Sequence, residues 1–144
     1  MKRKILYLLI IVTLAFIWGH SMAARDLSSE ESGRIFKLLY PVLTRILPDS
    51  MVTDHLVRKC AHFTEYTVLG MELSGLFTIK GRRRLFRDGM VFLPAFFTGF
   101  LVAFIDETIQ IFSGRGPMIA DVWLDSLGVF TGALIITLIR TIKN

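Results

Sequence analysis

The stretch Asp106-Glu107-Thr108-Ile109-Gln110-Ile111-Phe112-Ser113-Gly114-Arg115-Gly116-Pro117-Met118-Ile119-Ala120-Asp121-Val122-Trp123-Leu124-Asp125 decides how this chain is read. It joins two apolar segments of membrane-spanning character, Val91 to Ile105 and Ile119 to Ile139. An ionised carboxylate at a bilayer centre costs roughly 2.5–3.5 kcal/mol on insertion scales. Asp106, Glu107, Asp121 and Asp125, gathered about one turn, therefore need partners and a purpose. Ionisable residues inside a membrane mark a functional site by default when partners can be named.

Working outward, hydrophobic residues make up 53% of the 144 residues. They are blocked into long segments rather than scattered, which points to an integral membrane protein. The expected fold is all-α: a four-helix membrane bundle in one domain, residues 1–144, with spans at about 4–20, 54–79, 90–112 and 118–139. The net charge of +5 is no nucleic-acid footprint, because the basic residues border apolar segments instead of covering a polar face. The single cysteine, Cys60, excludes an intramolecular disulfide and reads as a small filler on a helix.

The N-terminal Met1-Lys2-Arg3-Lys4, the apolar Ile5 to Trp18 and the small residues Ser21 to Ala24 outline a secretory leader. The apolar run nevertheless continues for about 20 residues, enough to span, and a retained first helix is the preferred reading. Leu27 to Met51 is too polar to span. Ser28 and Glu31 fit a capping box, and Ile35, Leu38, Leu39 and Val42 lie opposite Arg34, Lys37 and Arg45. An amphipathic helix on the membrane surface is expected there, kinked at Pro41 and ended at Pro48.

The second span is polar in its first half. Arg58, His62, Glu65, Leu69 and Glu72 keep to one side of a helix at 100° per residue. Lys80, Arg82, Arg83, Arg84 and Arg87 then form the densest positive cluster. With Lys2 to Lys4, Arg140 and Lys143, they predict four spans with both termini cytoplasmic. In the third span Ala95, Gly99 and Ala103 form a small-residue row. In the fourth, Asp121, Asp125, Gly128 and Gly132 share one stripe, its lower part the small-x-x-x-small packing pattern.

This topology puts the unusual polar residues on the outer side, in a pocket with Glu72 as its floor. His62 and Glu65 read as a base and its orienting partner, or as two metal ligands. Glu107 is a second candidate general base. Arg115 suits bidentate recognition of phosphate or carboxylate, while Tyr66, Gln110, Asp121 and Asp125 complete a head-group site. The spacing matches no specific metal motif, so no metal is expected, and the sequence names no cofactor. Cys60 and Ser126 lack a neighbouring base that would make either a nucleophile. The bland alternative is a satisfied polar network that fixes helix register and touches no ligand.

The same residues resemble the VanZ family, small bacterial membrane proteins named after a teicoplanin-resistance protein. The likeness rests on Lys59-x-Ala61-His62-Phe63-x-x-Tyr66-x-x-Leu69-Gly70, then Glu107-x-x-Gln110-x-Phe112 with Gly114-Arg115. It closes with Asp121-Val122-x-x-Asp125-x-x-Gly128-x-x-x-Gly132. The family often carries Asn in place of Asp125, which ranks Asp125 behind Asp121, and Asp106 takes a supporting role. The resemblance implies a cell-envelope membrane protein, linked in some members to glycopeptide antibiotic resistance, and implies no known reaction. Three functions are thus expected to compete. One is a pocket for an anionic head group or lipid-linked cell-wall precursor among membrane lipids. The second is a membrane-embedded lipid hydrolase or transferase. The third is a non-catalytic scaffold.

Overall fold

In a computed structural model of the chain, the described residues are 2–22, 33, 36–38, 40–46, 48–80, 92–112 and 119–143. Four long helices account for most of them: α1 (Lys2–Met22), α2 (Asp54–Lys80), α3 (Phe92–Phe112) and α4 (Ile119–Lys143). No strand occurs among the described residues. Three helices are long and apolar enough to cross a membrane, over Arg3–Met22, Phe92–Phe112 and Ile119–Ile142. The sequence predicts a fourth. At 27 residues α2 has the length, about 40 Å at the helical rise, but Asp54, His55, Arg58, Lys59, His62, Glu65 and Glu72 dilute its apolar content.

The expected amphipathic helix is seen only in part, at residues 36–38 and 40–43. The Arg45 and Ile46 amides donate to the Val42 and Leu43 carbonyls at 3.3 and 3.0 Å, a 3-10 pattern that tightens the last turn. A separate 3-10 turn, Asp49–Met51, follows Pro48. Of the anticipated apolar side, Leu38 and Val42 are exposed, while Ile35 and Leu39 lie outside the described residues. The capping box at Ser28 to Glu31 and the basic cluster from Arg82 to Arg87 lie outside the described residues. Helix α2 opens with Thr53 as its cap: the Thr53 hydroxyl accepts the Leu56 amide at 3.2 Å, satisfying one of the free donors of the first turn.

Helices α2 and α4 share the most extensive interface and run parallel. Small residues make this possible. A Cβ on Gly128 would stand 2.7 Å from the Phe63 carbonyl oxygen, and one on Gly132 would collide with the Thr67 carbonyl. Gly70 reciprocates, since a Cβ there would strike the Val129 backbone. Without side chains at these points the two backbones come into direct contact, the packing that helices in lipid use in place of a hydrophobic drive.

Helix α3 lies antiparallel to α4. Its small row Ala95, Gly99 and Ala103 is buried, with Gly99 against the Val129 side chain. Phe92 meets Phe130 edge-on at 4.8 Å between ring centroids, and Phe100 meets Trp123 at 6.3 Å. Helix α1 packs on α2 and α3, antiparallel to α2: Leu6 lies beside Gly75, and Thr13 reaches Glu72. Ile17, Tyr66, Leu69, Ala103, Val129 and Ala133 belong to the shared core. Outward, Leu8, Phe16, Phe97, Phe104, Trp123 and Leu134 are exposed, the lining expected of a surface that meets lipid chains. Antiparallel neighbours bring the start of α2, the end of α3 and the start of α4 to one end of the molecule.

Candidate functional site

At that end the buried face of α3 changes character. The row Ala95, Gly99, Ala103 continues at helical spacing into Asp106, Glu107 and Gln110, all buried. The Gln110 amide Nε2 donates to Asp106 Oδ2 at 3.3 Å and to Glu107 Oε1 at 3.1 Å. One side-chain amide thus ties together two carboxylates that lie a turn below it on its own helix.

Helix α4 faces this group with Asp125, whose side chain is 1% exposed, and α2 with His62, 16% exposed. His62 Nδ1 stands 3.8 Å from Asp125 Oδ1. Potential donor atoms of His62, Asp106 and Asp125, one from each helix, all lie within 4.8 Å of one another. Tyr66, one turn along α2, is wholly buried, and the charges of Asp106, Asp125, Glu65 and Glu107 all act on its hydroxyl. At the rim, Lys59 Nζ pairs with Asp121 Oδ1 at 2.9 Å, and Arg58 pairs with Asp54 within the first turn of α2.

The hydrogen bonding of the centre is incomplete. Neither oxygen of Asp125 accepts a hydrogen bond among the described residues, and the Tyr66 hydroxyl makes none. Buried polar groups in folded proteins are nearly always satisfied, so each exception asks for a reason. Leaving such a group unpaired costs about 1–3 kcal/mol, and more when it is charged.

Beside the polar cluster lies an apolar cavity of about 660 Å³ between α1 and α2, lined among others by Val12, Phe16, Leu43, Leu56, Val68 and Glu65. Glu65 therefore has two roles by position. It borders the cavity, and it immediately precedes Tyr66, the wholly buried member of the cluster, on α2.

The residues singled out from sequence distribute as follows. His62, Tyr66, Glu107, Gln110 and Asp125 come together at the centre, with Glu65 at its border with the cavity. Asp121 is at the rim, held by Lys59. Arg115 lies outside the described residues. Glu72 does not form a floor to this group: its Oε1 accepts the Thr13 hydroxyl at 3.1 Å, in the α1 interface. Ten residues at 100° turn it about 80° from His62 and carry it about 15 Å down the helix. By burial the aspartates fall in another order, with Asp106 and Asp125 central and Asp121 half-buried. Asp106, given only a supporting role from sequence, carries a signal of its central place: it continues the Ala95, Gly99, Ala103 row, and Gln110 sits one turn beyond it.

A family model described as VanZ/LLP1 matches residues 4–140. No curated protein and no solved structure matches the chain.

Proposed function

The chain belongs to the VanZ/LLP1 family, and on that premise we propose a cell-envelope membrane protein that holds a lipid head group or a lipid-linked cell-wall precursor. The chain is one domain with α2 as its fourth span and both termini cytoplasmic. This orientation is supported by the gathering of basic residues at one end. Leu6, close to Lys2 to Lys4, lies beside Gly75, and Arg140 donates to the Thr78 hydroxyl. The excess of Lys and Arg marks the cytoplasmic side.

The observation that carries the reading is the meeting of the polar cluster and the apolar cavity at Glu65. A cavity of about 660 Å³ is within the usual range for a small-molecule site, and its apolar walls suit an acyl or isoprenoid chain. The head group then lies towards Glu65, Tyr66 and the cluster. Carboxylates there accept hydroxyl or ammonium donors, while Lys59 and Arg115 meet the anionic part. The unsatisfied Asp125 and Tyr66 favour a ligand over a scaffold, because a network built only to hold helices works best with every member satisfied.

The test is the lipid retained by purified protein, measured by native mass spectrometry. Ala61, on the cavity wall, becomes bulky in Ala61→Trp, which narrows the cavity and should reduce the retained lipid in a protein that still folds. Unchanged lipid retention in that variant overturns the reading. If the ligand is a cell-wall precursor, Glu107→Gln and Arg115→Ala should also abolish any protection that the protein gives a host against teicoplanin.

A second reading, lipid hydrolysis or group transfer, is favoured by the nearness of His62 to Asp125. A carboxylate beside an imidazole orients it and supports a general base, with Glu65 and Glu107 the further candidates. Turnover of labelled phospholipids that is lost in His62→Ala would establish it; no turnover across a broad lipid panel would sink it.

A further inference from the structure

Asp125 carries the inference. It is fully buried, neither of its oxygens accepts a hydrogen bond among the described residues, and its ion pair is with His62 at 3.8 Å. That separation is too long for a hydrogen bond. A carboxylate withdrawn from water takes up a proton, pairs with a cation or coordinates a metal, and the imidazole and second carboxylate gathered around Asp125 are what the last of these requires. We propose that His62, Asp106 and Asp125 form a binding site for a divalent transition-metal ion, Zn²⁺ or Mn²⁺.

The geometry suits one ion. Nitrogen and oxygen ligands stand about 2.0–2.2 Å from Zn²⁺, which sets neighbouring donors about 3.3 Å apart in a tetrahedral site. The His62 and Asp125 atoms at 3.8 Å are within about half an ångström of that spacing. The full set lies within 4.8 Å, and drawing its widest pair to the tetrahedral spacing takes a movement of about 1.5 Å. One imidazole with two carboxylates favours a borderline first-row ion over Mg²⁺ or Ca²⁺, which prefer oxygen donors throughout.

The surroundings resemble those of a built site. The Gln110 amide engages Asp106 Oδ2, the kind of outer hydrogen bond that fixes a ligating carboxylate. Three protein ligands leave a fourth position for water or a ligand oxygen. The Tyr66 hydroxyl, buried near Asp106 and Asp125 and without a hydrogen bond among the described residues, can serve that fourth group. The ligands come one each from three helices, which is why no short motif announces them. The ion would balance negative charge at the cluster, and the site stands independently of any lipid ligand.

The test uses the full chain purified in detergent, with any affinity tag removed and bound metal stripped by chelator. ZnCl₂ or MnCl₂ is added, excess is removed, and the metal is counted by elemental mass spectrometry while melting is followed in parallel. About one ion per chain is expected, with a higher Tm that chelator reverses. His62→Ala and Asp125→Asn should both lose the ion and the shift. Asp125→Asn keeps the side-chain shape and removes the buried charge, so the folding of its metal-free form, checked by circular dichroism, keeps the outcome interpretable. Failure of the wild-type chain to retain either ion overturns the proposal. So does retention of the ion in both variants, which would mark an adventitious surface site.

Discussion

Gly128→Ala gives the sharpest test of the close approach of α2 and α4. The added Cβ would lie 2.7 Å from the Phe63 carbonyl oxygen, 3.0 Å from Tyr66 Cβ and 3.3 Å from the Thr67 amide nitrogen. Two of these are backbone atoms, which cannot rotate away. Reaching the 3.4 Å of ordinary contact moves the helices apart by about 0.7 Å. Overpacking of this kind costs about 1–3 kcal/mol. Replacing a helical glycine returns about 0.5–1 kcal/mol of backbone entropy, so at mid-range values the net loss is about 1.3 kcal/mol. At about 2–4 °C per kcal/mol for a chain of this length, Tm should fall by about 3–5 °C. Circular dichroism melts in one detergent measure it. Gly19→Ala is the control: its new methyl group would meet nothing within 4 Å, and it should melt with the wild type or slightly above. If Gly128→Ala matches Gly19→Ala, the two backbones are not in contact and the account of the α2–α4 interface fails.

Further outcomes follow from the site. Tyr66→Phe removes a buried hydroxyl that makes no hydrogen bond among the described residues; ligand-free protein should gain up to about 1 kcal/mol in a melt, and a loss of that size would mean the hydroxyl is already satisfied. Gln110→Leu withdraws the amide from Asp106 and Glu107, and should weaken metal binding roughly 10–100-fold in a competition titration. The Lys59–Asp121 pair, about a third exposed on each side, should show a coupling of no more than about 1 kcal/mol in a double-mutant cycle of Lys59→Met and Asp121→Asn. Thr13→Val deprives Glu72 of its hydrogen bond and should cost about 1–3 kcal/mol, an effect that Glu72→Gln in the same background should relieve.

Much of the helical layout is legible because lipid imposes blunt patterns on sequence. Apolar blocks mark α1, α3 and α4, and the small residues Gly128, Gly132, Gly99 and Ala103 mark the faces that approach other helices. The α2 helix is harder, since its charged first half obeys neither a spanning pattern nor a surface one. Its polar residues make sense only once α4 supplies Asp121 and Asp125. Periodicity says that Asp121, Asp125, Gly128 and Gly132 share a stripe, but not which of the aspartates is deepest. Depth depends on where the neighbouring helix ends, and Lys59 reaching Asp121 settles that at the rim. Glu72 is set apart from His62 because one broad side of α2 serves two neighbours, α4 through His62 and α1 through Glu72.

The parallel pairing of α2 with α4 also has a consequence for biogenesis. Thr78 meets Arg140 62 residues further along the chain, and Lys59 meets Asp121 at the same offset. At about 5–20 residues per second of synthesis, α2 waits about 3–12 s for the helix that covers its charged side. During that interval it must stay beside the insertion machinery, or at the interface, instead of moving freely into lipid. We expect ribosome-bound chains that end before Asp121 to crosslink through α2 to the translocon, and chains that extend past Arg140 to release it; equal crosslinking at both lengths would refute this order of assembly. The glycine seam between the two helices would then close last.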